Sequence, residues 1–243
     1  PREHWHLCPD GSVVDTFCCL TRVIEGSPDE LWELLAAFAE EGDETYAERW
    51  LQPVPVPQFP YSAMQMVGDL LGALPADSVL HLANSSAVRF AQLYPLPVGT
   101  QVECNRGVNG IEGSLSTALG YAMGDNRLHF IICGDLSFFY DMNALWLQGI
   151  PRNVRLLMLN NGGGGIFDLI PTPDNPLVNG AHHATATAWA QSCGFECLSV
   201  RSEHDWPAAL AALTTPAHSP IFVEAFTDST ADAALFTQFN AQY

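Results

Sequence analysis

Two apolar runs of strand length, each followed by polar residues, constrain the fold of this chain most strongly. The runs occupy residues 128–133 and 154–159, and turn-forming residues bound both. Between them, residues 141–148 are rich in helix formers and precede Gly149 and Pro151, which favour the end of a helix. The pattern predicts a strand, a helix and a second strand that lies parallel to the first in one sheet.

Each run carries oxygen-bearing side chains just beyond its carboxyl end. Residues 134–137 read Gly-Asp-Leu-Ser, and residues 160–165 read Asn-Asn followed by four glycines. Parallel neighbours end at one sheet edge, where open α/β sheets bind ligands, so we expect Asp135 and Asn161 to lie close together. Carboxylate, amide and carbonyl oxygens suit Mg²⁺, and glycines let N–H groups approach phosphate. Taken alone, Asp135 would be interpreted as a helix cap, and the glycines as a flexible loop. The two groups at this spacing together predict a magnesium-diphosphate site.

The alternation of strands and helices continues over most of the chain. We expect an α/β fold, a doubly wound parallel sheet with helices on both faces. A cap at Asn84 and Ser85 is predicted for the second helix, and a capped helix after Asp228 for the tail. The remaining predicted helices are 61–74, 86–94, 113–123, 185–193 and 206–213, and the strands are 78–83, 100–104, 197–200 and 221–226.

The first part of the chain is predicted to be a separate piece. Residues 13–20 resemble a buried strand, and Ser27 with Pro28 predicts a capped helix. We interpret residues 1–52 as the remnant of a preceding α/β domain and 53–60, with alternating prolines, as a stiff linker. Residues 61–243 then form the ligand-binding domain. The start at Pro1, without Met, indicates a fragment.

Charge and composition exclude several classes of protein. The formal net charge is −18, and all nine basic residues are arginine, so a nucleic-acid patch or a Schiff-base lysine is not expected. The seven cysteines form no Cys-x-x-Cys pair and are expected to be reduced. No apolar run approaches the ~18 residues of a membrane span, and no signal peptide is recognisable. A cytoplasmic location is therefore expected.

The Gly-Asp-x motif, followed roughly two dozen residues later by Asn-Asn, resembles the signature of thiamine-diphosphate (ThDP) enzymes. By that resemblance, Asp135 and Asn161 would bind Mg²⁺ or Mn²⁺ together with the carbonyl of Gly163. The region of Ser137 would hold the diphosphate. The third motif position, usually Gly, is Leu136 here.

That departure narrows the resemblance to one branch of these enzymes. Residues 105–107 (Asn-Arg-Gly), 110–113 (Gly-Ile-Glu-Gly) and 134–137, with Asn-Asn-x-Gly-Gly-x-Ile-Phe from Asn160, are similar to the MenD family of menaquinone biosynthesis. The similarity runs from about residue 80 to the end. It implies a transferase that decarboxylates 2-oxoglutarate and adds the succinyl unit to isochorismate.

The same resemblance implies roles for further residues. Ile111 would bend the cofactor from below, and Ile166 and Phe167 would form an apolar wall near the reacting carbon. Ser85, Arg89 and Arg106 would bind substrate carboxylates, since the arginine fork suits them. The implied cofactor-binding residues are Ile111, Gly134, Asp135, Leu136, Ser137, Asn161, Gly163, Gly164 and Ile166.

Parts of such a site are expected to lie outside this chain. The family's catalytic glutamate comes from a pyrimidine-binding domain that we do not find here, and Glu112 is interpreted as a helix N-terminal charge. We expect the intact enzyme to be a homodimer or homotetramer and this chain alone to be inactive. His182 and His183 are interpreted as loop surface.

Two other functions remain open from the sequence. Another ThDP-dependent 2-oxoacid decarboxylase or an acetolactate synthase would share Asp135 and Asn161 but not the segment 105–107. A non-catalytic module could instead hold a nucleotide or an anion at the same sheet edge. Metal dependence of ligand binding, and isochorismate against pyruvate as substrate, distinguish these alternatives.

Overall fold

The chain is described here by a computed structural model that covers residues 3–39, Gly42, 44–51, 55–169 and 176–241. Contacts divide it into two compact units, Pro1–Pro55 and Val56–Tyr243. The first residues of the predicted linker 53–60, Pro53 and Val54, lie outside the described residues. The assignment of residues 1–52, 53–60 and 61–243 to a remnant, a linker and a domain stays a prediction.

The first unit contains a small parallel sheet and two helices. Its strands β1 and β2 pair in parallel. Ser27 caps the first helix with a capping box, and Pro28 occupies its first turn, as the sequence predicts. The elements are β1 (His4–Cys8), β2 (Leu20–Glu25), α1 (Pro28–Ala37) and α2 (Glu44–Trp50).

The predicted buried strand at 13–20 is wrong. Only Leu20 belongs to a strand, and the apolar side chains of Val13 and Phe17 are exposed. The Asp15 carboxylate accepts the backbone N–H groups of Cys19 and Leu20 at 2.9 and 3.1 Å. This local side-chain bonding competes with strand pairing and explains why the apolar run folds as a turn.

The second unit is built on one six-stranded sheet. All strand pairs are parallel, in the order β4-β3-β5-β6-β8-β7, with helices on both faces, which confirms the predicted fold class. Its strands are β3 (Val79–Leu82), β4 (Gln101–Cys104), β5 (His129–Gly134), β6 (Val154–Asn160), β7 (Glu196–Val200) and β8 (Ile221–Phe226). Its helices are α3 (Ala63–Gly72), α4 (Ser86–Ala91), α5 (Ser114–Met123), α6 (Asp135–Asp141), α7 (Pro176–Asn179), α8 (Thr187–Ser192), α9 (Trp206–Thr214) and α10 (Ser229–Asn240), with 3₁₀ turns at Met142–Trp146 and Gly165–Asp168.

Burial and capping account for these elements. Strands β3 and β6 are buried along their whole length, as expected for a parallel sheet covered on both faces. Ser62 caps α3 by accepting the Gln65 N–H at 3.1 Å, and Asp228 caps α10 by accepting the Ala231 N–H at 2.8 Å. Among the described residues, no helix is both long and apolar enough to cross a membrane.

Two local predictions are wrong. The helix predicted at 141–148 lies earlier, because α6 begins directly after β5 and gives way to a 3₁₀ turn at Met142. Asp141 ends α6 while its carboxylate accepts the N–H and Oγ–H of Ser116, at 2.7 and 2.9 Å. The predicted side-chain cap of α4 is also absent, since neither Asn84 nor Ser85 caps it.

Candidate active site

The two predicted polar groups meet at the carboxyl edge of the sheet. Strands β5 and β6 pair in register up to Gly134 and Leu159, so Asp135 and the glycine run emerge side by side. The Asp135 carboxylate is 2% exposed, and its Oδ2 accepts the N–H groups of Gly162 and Gly163 at 2.8 and 3.0 Å. The proximity predicted from the βαβ pattern is therefore confirmed.

The glycine run folds as a compact loop. Gly162 has a φ of +81°, a conformation that glycine adopts without strain. The N–H of Gly164 donates to the Asn179 carbonyl at 2.6 Å, which ties the loop to the last residue of α7. A Cβ atom on Gly165 would lie 2.6 Å from Nδ2 of Asn161. A side chain at position 165 would therefore displace the amide of Asn161.

The interpretation of His182 as loop surface is wrong. Its backbone N–H donates to the Gly162 carbonyl at 2.9 Å, and its Nε2 lies 3.2 Å from Oδ2 of Asp135. Its Nδ1 accepts the Ala184 N–H at 3.1 Å, so a neutral ring carries its proton on Nε2, towards the carboxylate. His183 is exposed, as expected.

Opposing effects act on the pKa of Asp135. Burial in the protein interior raises the pKa of this carboxyl above its ordinary value of 3.8. The pKa is lowered by the hydrogen bond from the Leu136 N–H, by the nearby His182 ring and by the N–H groups of Gly163 and Gly162. Because desolvation dominates, a cation beside Asp135 would stabilise the charged form.

A second buried carboxylate, that of Glu224 on β8, supports the loop from the sheet. It accepts the N–H groups of Ala186 and Thr187 and the side-chain amide of Asn160, at distances of 2.8 to 3.1 Å. The Asn160 Oδ1 in turn accepts the Gly162 N–H at 3.3 Å. Of the two asparagines, Asn160 therefore anchors the loop, and Asn161 faces the cavity beside it.

A cavity of about 350 Å³ opens at this edge. Every residue that the sequence assigned to the site lines this cavity. These residues are Ser85, Arg89, Arg106, Ile111, Gly134, Asp135, Leu136, Ser137, Asn161, Gly163, Gly164, Ile166 and Phe167.

Asn84 holds two walls of the cavity together, and sequence reasoning assigned it only a capping role. Its buried side-chain amide donates to the carbonyls of Asn105, at 2.7 Å, and Gly110. Its Oδ1 accepts from Nη1 of Arg106 at 3.4 Å. The next residue, Ser85, has a φ of +72°, which is strained for a side chain other than glycine.

The cavity offers cationic, apolar and oxygen groups on different sides. Nη1 of Arg89 is buried and has no hydrogen-bond partner among the described residues, so it is available to an anionic ligand. Ser137 donates its hydroxyl proton to the Ile111 carbonyl at 2.5 Å, which fixes the wall that carries Ile111. Within the described ranges, no cluster of three or more His, Cys, Asp or Glu side chains could hold a metal, so a cation here would need amide and carbonyl oxygens.

Three contributors to the site were missed by sequence reasoning. Glu224 carries no local signal except its place in an otherwise apolar strand, where a buried carboxylate demands partners. Asn84 is separated by one residue from the buried strand β3, near the same sheet edge at which Asp135 follows β5, and that position could have identified it. His182 depends on a loop that returns from β6 to α8, for which the sequence carries no pattern.

The fold has a counterpart among solved structures. The benzoylformate decarboxylase of Polynucleobacter necessarius superposes with a TM-score of 0.59 over 74% of this chain and 35% of that chain, at 18% sequence identity. At this identity the likeness shows the fold alone. No protein-family model matches the chain.

Curated relatives match the sequence over nearly its whole length. The 2-succinyl-5-enolpyruvyl-6-hydroxy-3-cyclohexene-1-carboxylate synthases of Phocaeicola vulgatus and Bacteroides fragilis are each 44% identical, over 98% and 100% of this chain. The synthase of Cytophaga hutchinsonii is 34% identical over 98% of it. The chain spans 45%, 46% and 45% of the length of these relatives, respectively. Matches of this identity and extent show that the chain belongs to the 2-succinyl-5-enolpyruvyl-6-hydroxy-3-cyclohexene-1-carboxylate synthase family.

Proposed function

We propose that this chain is the diphosphate-binding part of a ThDP- and Mg²⁺-dependent transferase. The intact enzyme decarboxylates 2-oxoglutarate and adds the succinyl unit to isochorismate in menaquinone biosynthesis. One observation carries the proposal: Oδ2 of Asp135 is hydrogen-bonded to the N–H groups of Gly162 and Gly163 at the rim of a cavity that also contains Arg89 and Arg106. The membership of the synthase family supports the same assignment.

The residues at the sheet edge fit a divalent cation and a diphosphate. Asp135, the amide oxygen of Asn161 and the carbonyl of Gly163 provide the hard oxygen ligands that Mg²⁺ or Mn²⁺ prefers. The buried Asp135 carboxylate has a raised pKa and His182 as its one nearby basic side chain among the described residues, so a cation would relieve its desolvation. The backbone N–H groups of the first turn of α6, including that of Ser137, are the donors that would be available to diphosphate oxygens.

The far side of the cavity suits substrate carboxylates. Arg89 has an unpartnered buried Nη1, and Asn84 holds Arg106 at the same opening, so the guanidinium groups can bind and orient carboxylates. Ile111, Ile166 and Phe167 line the remaining wall, where they would keep water out and press on the cofactor rings. When bound, ThDP supplies the electron sink for decarboxylation and carbon–carbon bond formation.

The intact enzyme requires parts that this chain does not supply. A pyrimidine-binding domain would provide the glutamate that activates the cofactor, and a homodimer or homotetramer would bring that domain to this cavity. We therefore expect little or no succinyl transfer by the 243-residue chain alone. We also expect its affinity for ThDP to be weak, because half of the usual contacts would be missing.

Calorimetric titration of the chain with ThDP, in Mg²⁺ and separately in EDTA, tests this function. We expect weak binding that requires the metal and that Asp135→Ala abolishes. Metal-independent binding that survives Asp135→Ala would instead indicate a non-catalytic nucleotide or anion module. Assaying the full-length parent protein with isochorismate against pyruvate separates the proposed synthase from an acetolactate synthase or another 2-oxoacid decarboxylase.

A further inference from the structure

A second cavity, of about 280 Å³, lies at the opposite, amino-terminal edge of the same sheet. Its lining comes from the start of β6 and from the segments that lead into β5, β6 and β8. Strand β6 has seven residues, and at about 3.3 Å per residue the strand separates the two cavities by roughly 20 Å. The lining includes Leu128, Arg152, Asn153, Arg155, Ala217 and His218.

Arg155 is the most deeply buried charged group of this cavity. The side chain is 1% exposed, and Nη1 donates to the carbonyls of Arg152 and Val154, at 2.7 and 2.9 Å. Nη2 donates to the carbonyl of Thr215 at 3.1 Å, whereas Nε has no acceptor among the described residues. Burial lowers the pKa of this guanidinium, with Glu196 acting weakly against that effect. The charge is therefore desolvated without a carboxylate in contact.

Asn153 contributes a hydrogen-bond acceptor to this cavity. Its Nδ2 donates to the backbone carbonyls of Asp125 and Arg127, at 3.0 and 2.5 Å, which fixes the orientation of the amide. Its Oδ1 is buried and has no donor among the described residues. The cavity thus combines an unsatisfied cationic donor with an unsatisfied acceptor, and both would cost free energy if left unpaired.

The charge around the cavity favours an anion. The exposed side chains of Arg152 and His218 lie at its rim, and no carboxylate is among the lining residues in the described part of the chain. One ordered water molecule could bridge the Nε–H of Arg155 and Oδ1 of Asn153. A water occupies about 30 Å³ of liquid, however, so the cavity has room for a larger ligand.

We propose that this cavity binds a hydrogen-phosphate group. Its anionic oxygens would accept from Nε of Arg155 and from the guanidinium of Arg152, and its P–OH would donate to Oδ1 of Asn153. An oxyanion without a proton, such as sulfate at neutral pH, could satisfy only the arginines. The site is separate from the cavity at the carboxyl edge, and the inference does not rest on the function proposed there.

Titration of the full 243-residue chain with inorganic phosphate, followed by calorimetry and phosphorus NMR, tests the inference. The titration is made at constant ionic strength in EDTA, so that a metal-diphosphate site makes no contribution. We expect saturable binding that Arg152→Gln, at an exposed side chain, weakens by about tenfold. The control variant Arg49→Gln, at an exposed side chain that lines neither cavity, should leave phosphate binding unchanged. Sulfate should bind at least several-fold more weakly than phosphate.

Several outcomes would overturn the proposal. One is the absence of saturable phosphate binding by the wild-type chain. Another is binding that Arg106→Gln abolishes and Arg152→Gln leaves intact, because the ion would then occupy the first cavity. Equal affinity for sulfate and phosphate would also overturn it, since Asn153 would then receive no proton from the ligand. A parallel titration with a phosphate monoester shows whether free phosphate or a phosphorylated small molecule fits better.

Discussion

Two buried carboxylates flank the ends of the central strands, and their surroundings differ in kind. Glu224 is 0% exposed and accepts from the N–H groups of Ala186 and Thr187, the Thr187 hydroxyl and the Asn160 amide. These donors belong to the first residues of α8 and the end of β6, and they satisfy both carboxylate oxygens. The charge is thereby built into the scaffold beneath the glycine loop.

Asp135 is buried nearly as deeply but is aimed at a cavity. Its donors are the backbone N–H groups of Leu136, Gly162 and Gly163. Nε2 of His182 lies 3.2 Å from Oδ2 but makes no hydrogen bond of good geometry to any of the described residues. The carboxylate retains a raised pKa. The comparison teaches that burial alone does not distinguish the two carboxylates. Both oxygens of each have donors, but among the described residues Glu224 accepts five hydrogen bonds, whereas Asp135 accepts three and lines a cavity.

The largest change in the free energy of unfolding is expected when the Glu224 carboxylate is removed. Glu224→Ala would leave the Ala186 and Thr187 N–H groups and the Asn160 amide without their acceptor in a buried place. We expect a loss of about 3 kcal/mol or more in the free energy of unfolding, measured by urea denaturation. The control Glu196→Gln, at an exposed position on β7, should change it by less than about 0.5 kcal/mol. A loss under about 1 kcal/mol for Glu224→Ala would contradict the scaffold role.

Asp135→Asn should weaken ligand binding strongly and change stability little, the reverse of Glu224→Ala. It removes the charge that a cation needs, so metal-dependent ThDP affinity should fall by about a hundredfold, near 2.8 kcal/mol. The free energy of unfolding should change by less than about 1 kcal/mol, because the amide retains an acceptor oxygen and no charge has to be desolvated. Calorimetry and urea denaturation of the same sample give both values. A large loss of stability with intact binding would reverse our assignment of the two carboxylates.

The variant Gly165→Ala tests whether Asn161 contributes to metal-dependent ThDP binding. The added Cβ would lie 2.6 Å from Nδ2 of Asn161, so this side chain must move. We expect about a tenfold loss of metal-dependent affinity, roughly 1.4 kcal/mol, with the fold retained. The control Gly120→Ala lies within α5, where an added Cβ meets nothing within 4 Å, and should increase stability by about 0.5–1 kcal/mol. Unchanged metal-dependent affinity in Gly165→Ala would remove Asn161 from the ligand set.

The smallest effect is a pH dependence of stability that arises from Asp135. Because the folded-state pKa is raised above 3.8, the folded protein holds this proton more tightly than the unfolded chain does. As pH rises from 3.8 through the folded-state pKa, wild-type protein should lose stability relative to Asp135→Asn, and the difference should then stay constant. Urea denaturation of both proteins without metal, from pH 4 to 7, measures it. A difference that grows towards low pH would show that the pKa is instead depressed.

Much of the sheet and of the cavity could be predicted from the sequence. The runs that became β5 and β6 are continuous and apolar because both faces of a parallel strand are covered, and the residues after them carry the motif. The order of a strand, a helix and a parallel strand then brings Asp135 beside the glycine loop without any knowledge of distant contacts. Local pattern and connectivity therefore suffice to predict a contact between residues that follow adjacent strands.

Other features depended on which polar partners the side chains find when the chain folds. The apolar residues 13–19 became an exposed turn, because Asp15 bonds the backbone that a strand would have used. Asn84 was predicted as a cap but joins the loops that carry Arg106 and Ile111. Neither outcome can be inferred from periodicity, since each depends on which of several polar partners a side chain finds after folding.

The sequence by itself determined the parallel sheet and the edge of that sheet at which Asp135, Asn161 and the glycine run meet. Tertiary structure alone decided that His182 lies against Asp135, that Glu224 supports the glycine loop and that Arg155 and Asn153 share a second cavity. The physical reason is that hydrophobic periodicity records which faces are buried. The pairing of buried polar groups depends instead on positions in space that residues far apart in the chain reach only when it is folded.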